Sequence, residues 1–352
     1  MPVAKSPDED NFPLLQREDE LVDELRENVP KALKDWDEEA IHQSRVATRR
    51  LKAALRLTEP VLSKAQSKPL ARVLKKLRRR LGPLRDLDVM IGHLRQMSRR
   101  KTHRRAVVWL LDRLEKARVE ARNEAAKKSS ANRVLARLGT WWGVRDEVSS
   151  AREAIDSLLA DGLHLQLDAF AEQANQLVPR AMPQHVHAKD DEANDPHALR
   201  IAGKSLRYTL EMAEAEGHDL PRKVMKAFKR MQESLGEWHD YVVLSERAMQ
   251  ESLAALLPHH DAALQMDILD LTRSLLRLST KHLAEFAAMW AERGPELSTS
   301  IRAHFPLSRP VAPASPIPAP EPFIAPKTDP DPPGSTGMAA PEAPAQDVPS
   351  GP

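Results

Sequence analysis

Glu39-Ala-Ile-His-Gln-Ser-Arg-Val-Ala-Thr-Arg-Arg-Leu-Lys-Ala-Ala-Leu-Arg56 holds no Gly or Pro and is rich in Ala, Leu, Arg and Lys. Those are helix formers, so the stretch reads as helix. At about 100° per residue, His42, Arg45, Arg49, Lys52 and Arg56 share one strip about 80° wide. Ile41, Thr48, Leu51, Leu55 and Leu62 form an apolar seam directly beside it, and Arg50 points away from both. Cations at i, i+3 and i+4 repel, each pair by a few tenths of a kcal/mol. An anionic partner would offset that repulsion; the alternative is a solvated basic face on a bundle helix.

The pattern recurs. In His197-Ala-Leu-Arg-Ile-Ala-Gly-Lys-Ser-Leu-Arg207-Tyr, His197 matches His42, Arg200 matches Arg45, Lys204 matches Arg49 and Arg207 matches Lys52, an offset of 155 residues. A second element follows each copy. Lys75-Lys76-Leu-Arg-Arg-Arg-Leu-Gly82-Pro-Leu-Arg85-Asp86 aligns with Lys229-Arg230-Met-Gln-Glu-Ser-Leu-Gly236-Glu-Trp-His239-Asp240, offset by 154 residues. The expectation is an internal duplication whose two strips face one common cavity or surface.

Composition bounds the rest. With 352 residues, 4% aromatics, 30% charged residues and no cysteine, the chain suits an all-α protein without disulfides or a thiolate metal site. No apolar run is long enough to cross a bilayer and no signal-peptide core follows Met1, so a cytoplasmic protein is expected. The net charge of +2 conceals a local field: His42 to Arg105 holds 20 Lys and Arg against Glu59, Asp86 and Asp88.

Outward from the quoted stretch, residues 1–12 read as a flexible N-terminus, followed by a helix from Pro13 to Lys34 and a turn at Trp36-Asp37. The His42 helix should stop near Ser63. Lys68 to Leu81 should be a third helix closed by Gly82, with Pro83 opening a fourth and Asp86 and Asp88 in its first turn. Helices are expected over Thr102–Lys128 and Asp146–Val178, either side of a break at Gly139-Thr-Trp-Trp-Gly143. After a polar loop from Pro183 to Pro196 come His197–Gly217, Pro221–Leu235, Glu237–Leu257 and Asp261–Arg293. From residue 306 the chain is rich in Pro and Ala, carrying more than half of the 28 prolines, and reads as a disordered tail.

Four segments together resemble the CHAD domain family, the conserved histidine α-helical domain. They are Ile-His-Gln-Ser-Arg-Val-Ala-Thr-Arg-Arg-Leu-Lys, Leu-Gly-Pro-Leu-Arg-Asp-Leu-Asp-Val, Arg-Ile-Ala-Gly-Lys-Ser-Leu-Arg-Tyr and Leu-Gly-Glu-Trp-His-Asp-Tyr. The resemblance implies two four-helix bundles related by pseudo-two-fold symmetry over residues 13–305, in halves of about 13–180 and 195–305. It also implies non-catalytic binding of inorganic polyphosphate, with no cofactor and no enzyme activity, on polyphosphate granules beside other granule proteins. By carry-over the binding residues are His42, Arg45, Arg49, Lys52, Arg56, Lys75, Lys76, Arg79, His197, Arg200, Lys204, Arg207, Lys226, Lys229 and Arg230. Asp86, Asp240 and Tyr208 stand behind them. Glu211 in the slot of Arg56, and Gln232 and Glu233 in those of Arg78 and Arg79, leave the second half less basic.

Polyphosphate carries about one negative charge per phosphate along a flexible chain, so rows of Arg forks and mobile Lys suit it better than one pocket. Metal binding at His42 and His197 is opposed by their cationic neighbours at i+3 and i+7. Gly203-Lys204-Ser205 mimics the end of a P-loop, but Ala198 stands where its first Gly belongs and the segment is helical. A nucleic-acid binder is the rival class, disfavoured by the scarcity of stacking aromatics apart from Tyr208 and Trp238. A scaffold whose tail recruits partners is the third.

Overall fold

A computed structural model describes residues 12–99, 102–128, 130–181, 196–256 and 261–307. Residues 1–11, the stretch 182–195 expected to be a polar loop, and the Pro-rich segment from residue 308 lie outside them. The described residues form helices joined by short turns, with no strand among them. In chain order the helices are α1 (Pro13–Pro30), α2 (Glu38–Leu57), α3 (Lys64–Ser98), α4 (Arg104–Lys128) and α5 (Ala131–Leu138). Then follow α6 (Trp141–Ser150), α7 (Ile155–Ala181), α8 (Pro196–Ala215), α9 (Arg222–Leu256) and α10 (Ala262–His304).

Local chemistry sets the start of α2. A π-helical turn at Lys31–Asp35 ends on Trp36, held at φ 59° with its indole buried. Asp37 then caps α2, its carboxylate accepting from the Ala40 amide at 2.7 Å, and Glu38 and Glu39 favour the positive end of the helix dipole. The cap fixes the phase that turns Ile41, Ala47 and Leu51 into the core and the His42–Arg49 strip to its edge.

Several boundaries differ from the sequence expectation, among them the end of α2, which falls at Leu57 rather than near Ser63. No helix ends at Gly82: α3 runs unbroken for 35 residues through Gly82 and Pro83. An interior proline costs about 3 kcal/mol. Leu77, Leu81, Leu84 and Leu87 are all buried on both sides of it, at roughly 1.5–3 kcal/mol each, so packing outweighs the proline. The 35-residue α9 likewise passes through Gly236, and α10 continues through Pro295 to His304, with Leu297 and Ile301 buried beyond the proline. Asp86 and Asp88 are therefore mid-helix residues and cap nothing; Asp88 is buried against Arg118 instead. The stretch from Asp146 is two helices, α6 and α7, separated by a 3₁₀ turn at Arg152–Ala154.

Two apolar clusters result. The larger joins α1, α2, α5 to α8, the N-terminal parts of α3 and α9, and the end of α10. Within it the Phe170 ring meets Phe228, Phe286 and Trp290 edge-on, centroids 5.8, 6.3 and 5.2 Å away. The smaller joins the C-terminal parts of α3 and α9 (Leu87, Ile91, Leu94; Leu244, Ala248) to α4 and the first part of α10. Each cluster takes side chains from both halves of the sequence, so the division of the core does not follow the division into halves. The long α3, α9 and α10 thread both, and α4 reaches the larger one through Ala125. The polar residues at the crossover, Arg85 and Asp86 on α3 and His239 and Asp240 on α9, are left between two dry regions.

Candidate functional site

Those crossover residues meet the basic strips of α2 and α8. Arg45 is 8% exposed, and its Nη1 donates to the Arg78 carbonyl oxygen at 3.0 Å. Its Nη2 lies 3.5 Å from Asp86 Oδ1. The approach needs Gly82, because a Cβ there would stand 3.0 Å from Arg45 Nη1. Burial first, then neighbouring guanidiniums, push Arg45 down to about 10, against the favourable pull of Asp86. It stays protonated at neutral pH and is a wall of the site rather than its exposed contact.

Arg49, one turn further on, is half-buried and central. Its charge acts on His42, Arg45, Arg78 and Asp86 on one side and on Arg200 and Lys204 on the other. The strips of α2 and α8 thus converge, and α3 and α9 close the group with Arg78, Arg85, His239 and Asp240. His42 is held below the usual histidine range by burial and then by Arg85, with Glu39 opposing. On the facing side the His197 and His239 rings lie 4.9 Å apart.

Burial, followed by Arg200 and Arg49, lowers the Lys204 amine to about 6. Burial, then Arg200 and His197, takes His239 to about 4. Both are mostly neutral at pH 7 without a ligand. Burial is also the largest influence on Arg200, whose guanidinium is lowered despite help from Asp240, Asp86 and Tyr208. Asp86 and Asp240 lie among five guanidiniums (Arg45, Arg49, Arg78, Arg85, Arg200), of which Arg85 also stands 3.8 Å from Glu38. Water reaches 62% of the Asp86 side chain, yet the surrounding protein raises its carboxyl above the usual range. Asp240 lies 3.7 Å from His93; burial acts to raise it, but His93 and Arg200 prevail and hold it below its ordinary value, while His93 is raised in return.

The structure thus brings together His42, Arg45, Arg49, His197, Arg200 and Lys204 with Asp86, Asp240 and Tyr208. It adds Arg78, Arg85, His93 and His239, which the sequence reading did not place in the site. Had α3 been read as unbroken, Arg78, Gly82 and Arg85 would have fallen within about 60° of one another. The assumed break at Gly82 hid that phase.

The remaining candidates are exposed or engaged by other partners. Lys52, Arg56, Lys75, Lys76 and Arg79 are solvent-exposed. Arg56 is seven residues past Arg49, about 10 Å along α2. Arg207 is engaged by Glu211 at 2.9 Å, and Glu211 also accepts from Arg50 at 2.8 Å, so the residue expected to point away bridges α2 to α8. Lys226, Lys229 and Arg230 line a recess of about 630 Å³ with Leu210, Glu214, Met225 and Glu233, a mixed-charge groove apart from the cluster.

An all-α protein with a polycation cluster between two helix pairs is the class this geometry defines. The CHAD domain family model matches residues 18–249, and the chain belongs to that family. The fold is similar to the crystal structure of the CHAD domain from the plant Ricinus communis. The two are 22% identical, with a TM-score of 0.51, over 84% of this chain and 90% of that one. No curated protein matches the chain. Among the described residues, no helix is long and apolar enough to cross a membrane.

Proposed function

We propose that this chain binds inorganic polyphosphate without transforming it, at the cluster where α2, α3, α8 and α9 meet. The observation that carries this is the convergence of guanidiniums from α2, α3 and α8 around Arg49, outnumbering the nearby carboxylates Asp86, Asp240 and Glu38. Holding those cations together unliganded is electrostatically unfavourable, and a dense polyanion relieves it. Affinity then comes largely from released counterions and falls with salt. Both carboxylates already have partners, Arg45 for Asp86 and His93 for Asp240, which fits orientation better than chemistry on a phosphoanhydride bond. A protein with this site is held on cytoplasmic polyphosphate granules, in company with other granule proteins. The duplication belongs to the same proposal: two related basic faces clasp one polymer.

The test is competition of long-chain polyphosphate against single-stranded RNA at matched phosphate and salt. Polyphosphate is expected to displace RNA, because the cluster offers charge and few faces for base stacking. RNA binding as tightly as polyphosphate would replace this reading with a nucleic-acid binder.

A further inference from the structure

A second group of cations lies on α3 away from the cluster. The short α5 packs through Ala131, Val134 and Leu138, leaving Arg133 and Arg137 exposed at i and i+4. Neither α5 nor the facing part of α3 supplies an acid: from Lys64 to Leu84 α3 contains none. Arg80 is half-buried where the two helices meet, lowered first by burial and then by Arg133, Arg79 and Arg137. Among the described residues, none of these four guanidiniums pairs with a carboxylate. An ordinary solvated face would intersperse acids, as α1 does with Arg17 to Glu20 and Arg26 to Asp23.

The two basic regions are joined around α3. Arg78 faces the cluster, Arg79 lies about 100° further round the helix and Arg80 about 200°. Arg78 to Arg80 thus wrap half of a cylinder about 10–12 Å wide, a path of roughly 15–20 Å. A flexible chain can follow that curvature, whereas a rigid duplex cannot and a small phosphate is too short to touch both ends.

We propose that the α3–α5 surface of Arg79, Arg80, Arg133 and Arg137 is a second anion-binding site, taking the outgoing part of a flexible polyphosphate chain whose other part occupies the Arg49 cluster. The inference rests on the polyphosphate reading and extends it, giving the protein a preference for long chains. Arg133 and Arg137 are the residues to change, since they are exposed and α5 packs through other side chains.

The experiment titrates the full chain, its R133A/R137A double variant and an R49A variant with long-chain polyphosphate and with tripolyphosphate. The double variant should bind the long chain about tenfold more weakly, with a salt slope lower by about 1.4 for two lost contacts, while its tripolyphosphate affinity is unchanged. R49A should lose affinity for both. Long-chain binding and slope equal to the wild type in R133A/R137A would overturn the proposal. So would an equal loss of tripolyphosphate binding, which would make the two regions one site. If the wild type binds neither polymer, the polyphosphate reading itself is refuted and the second site with it.

Discussion

The two faces of the cluster are built from matched positions but differ in how firmly they hold charge. On the α2–α3 face stand Arg45, Arg49, Arg78 and Arg85. At the corresponding places on the α8–α9 face stand Arg200, Lys204, Gln232 and His239. A guanidinium keeps its charge throughout the physiological range, whereas Lys204 at about 6 and His239 at about 4 have given theirs up. The second face is discharged partly because of the first, since Arg49 and Arg45 are among the charges that depress Lys204. One face is a permanent field and the other, under the proposed function, a responsive one: a bound polyanion would cancel the repulsion and let the second face take up protons.

The largest effect that separates the faces is the loss of Arg49 compared with that of Lys204, measured at pH 8 and pH 5.5. Arg49→Ala should weaken polyphosphate binding about 10–100-fold at both, the equivalent of roughly 1.5–3 kcal/mol for a desolvated charge-assisted contact. Lys204→Ala should cost only a few-fold at pH 8 and approach the Arg49 loss at pH 5.5, below the free amine's value of about 6. Bound anion raises that value, so binding takes up a proton and affinity falls as pH rises above about 6. The wild-type control removes titration of the polymer itself. Equal losses for Lys204→Ala at both pH values would mean that the second face is not responsive. Without ligand the sign for folding is opposite: a depressed lysine makes stability rise with pH between about 6 and 10.5.

The two glycines at the crossover offer a smaller and cleaner contrast. Gly82→Ala would set a Cβ 3.0 Å from Arg45 Nη1, against a guanidinium that is buried and hydrogen-bonded to the Arg78 carbonyl. Arg45 must shift, and binding should weaken by about 3–10-fold, about 1 kcal/mol, while the gain in helix propensity offsets part of the packing loss. Gly236→Ala meets nothing within 4 Å. It should raise stability by about 0.5–1 kcal/mol in denaturant titrations and leave affinity unchanged. A Gly82→Ala variant that only gains stability would show that Arg45 tolerates displacement.

Those same glycines mark where the sequence stopped being legible. The α2 strip and its copy on α8 could be read because each lies in one uninterrupted helical period. Gly82-Pro83 and Gly236 signal helix ends locally, and only the leucines buried on both sides of them reveal that packing carries the helix through. The phase error that follows is what hid Arg78, Arg85 and His239. Contacts between distant elements leave no local trace at all: nothing near Arg50 announces Glu211, and nothing near Arg80 announces Arg133 and Arg137. Lys226, Lys229 and Arg230 line a recess of their own for a related reason. Alignment with α3 places them on the right helix, but the recess they line lies between α8 and α9, with Glu214 and Glu233 beside them.

The smallest expected effect concerns Glu211, the acid that replaces a cation on the second face. It sits between Arg50 of α2 and Arg207 of its own helix, at 2.8 and 2.9 Å, with 21% of its side chain exposed. Two roles are combined in it. It ties α2 to α8, and it neutralises guanidiniums that would otherwise add to the field along the strip. Glu211→Gln keeps the shape and removes the charge, so the two roles should move in opposite directions. Thermal stability should drop by about 1 kcal/mol or less, because the pair is partly screened by water. Polyphosphate affinity should rise a few-fold and the salt slope steepen by roughly 0.7 as Arg207 becomes available to a phosphate. Titration and melting of one purified variant read both. A stability loss with unchanged affinity and slope would confine Glu211 to the seam between α2 and α8, and would place Arg207 outside the path of the polymer.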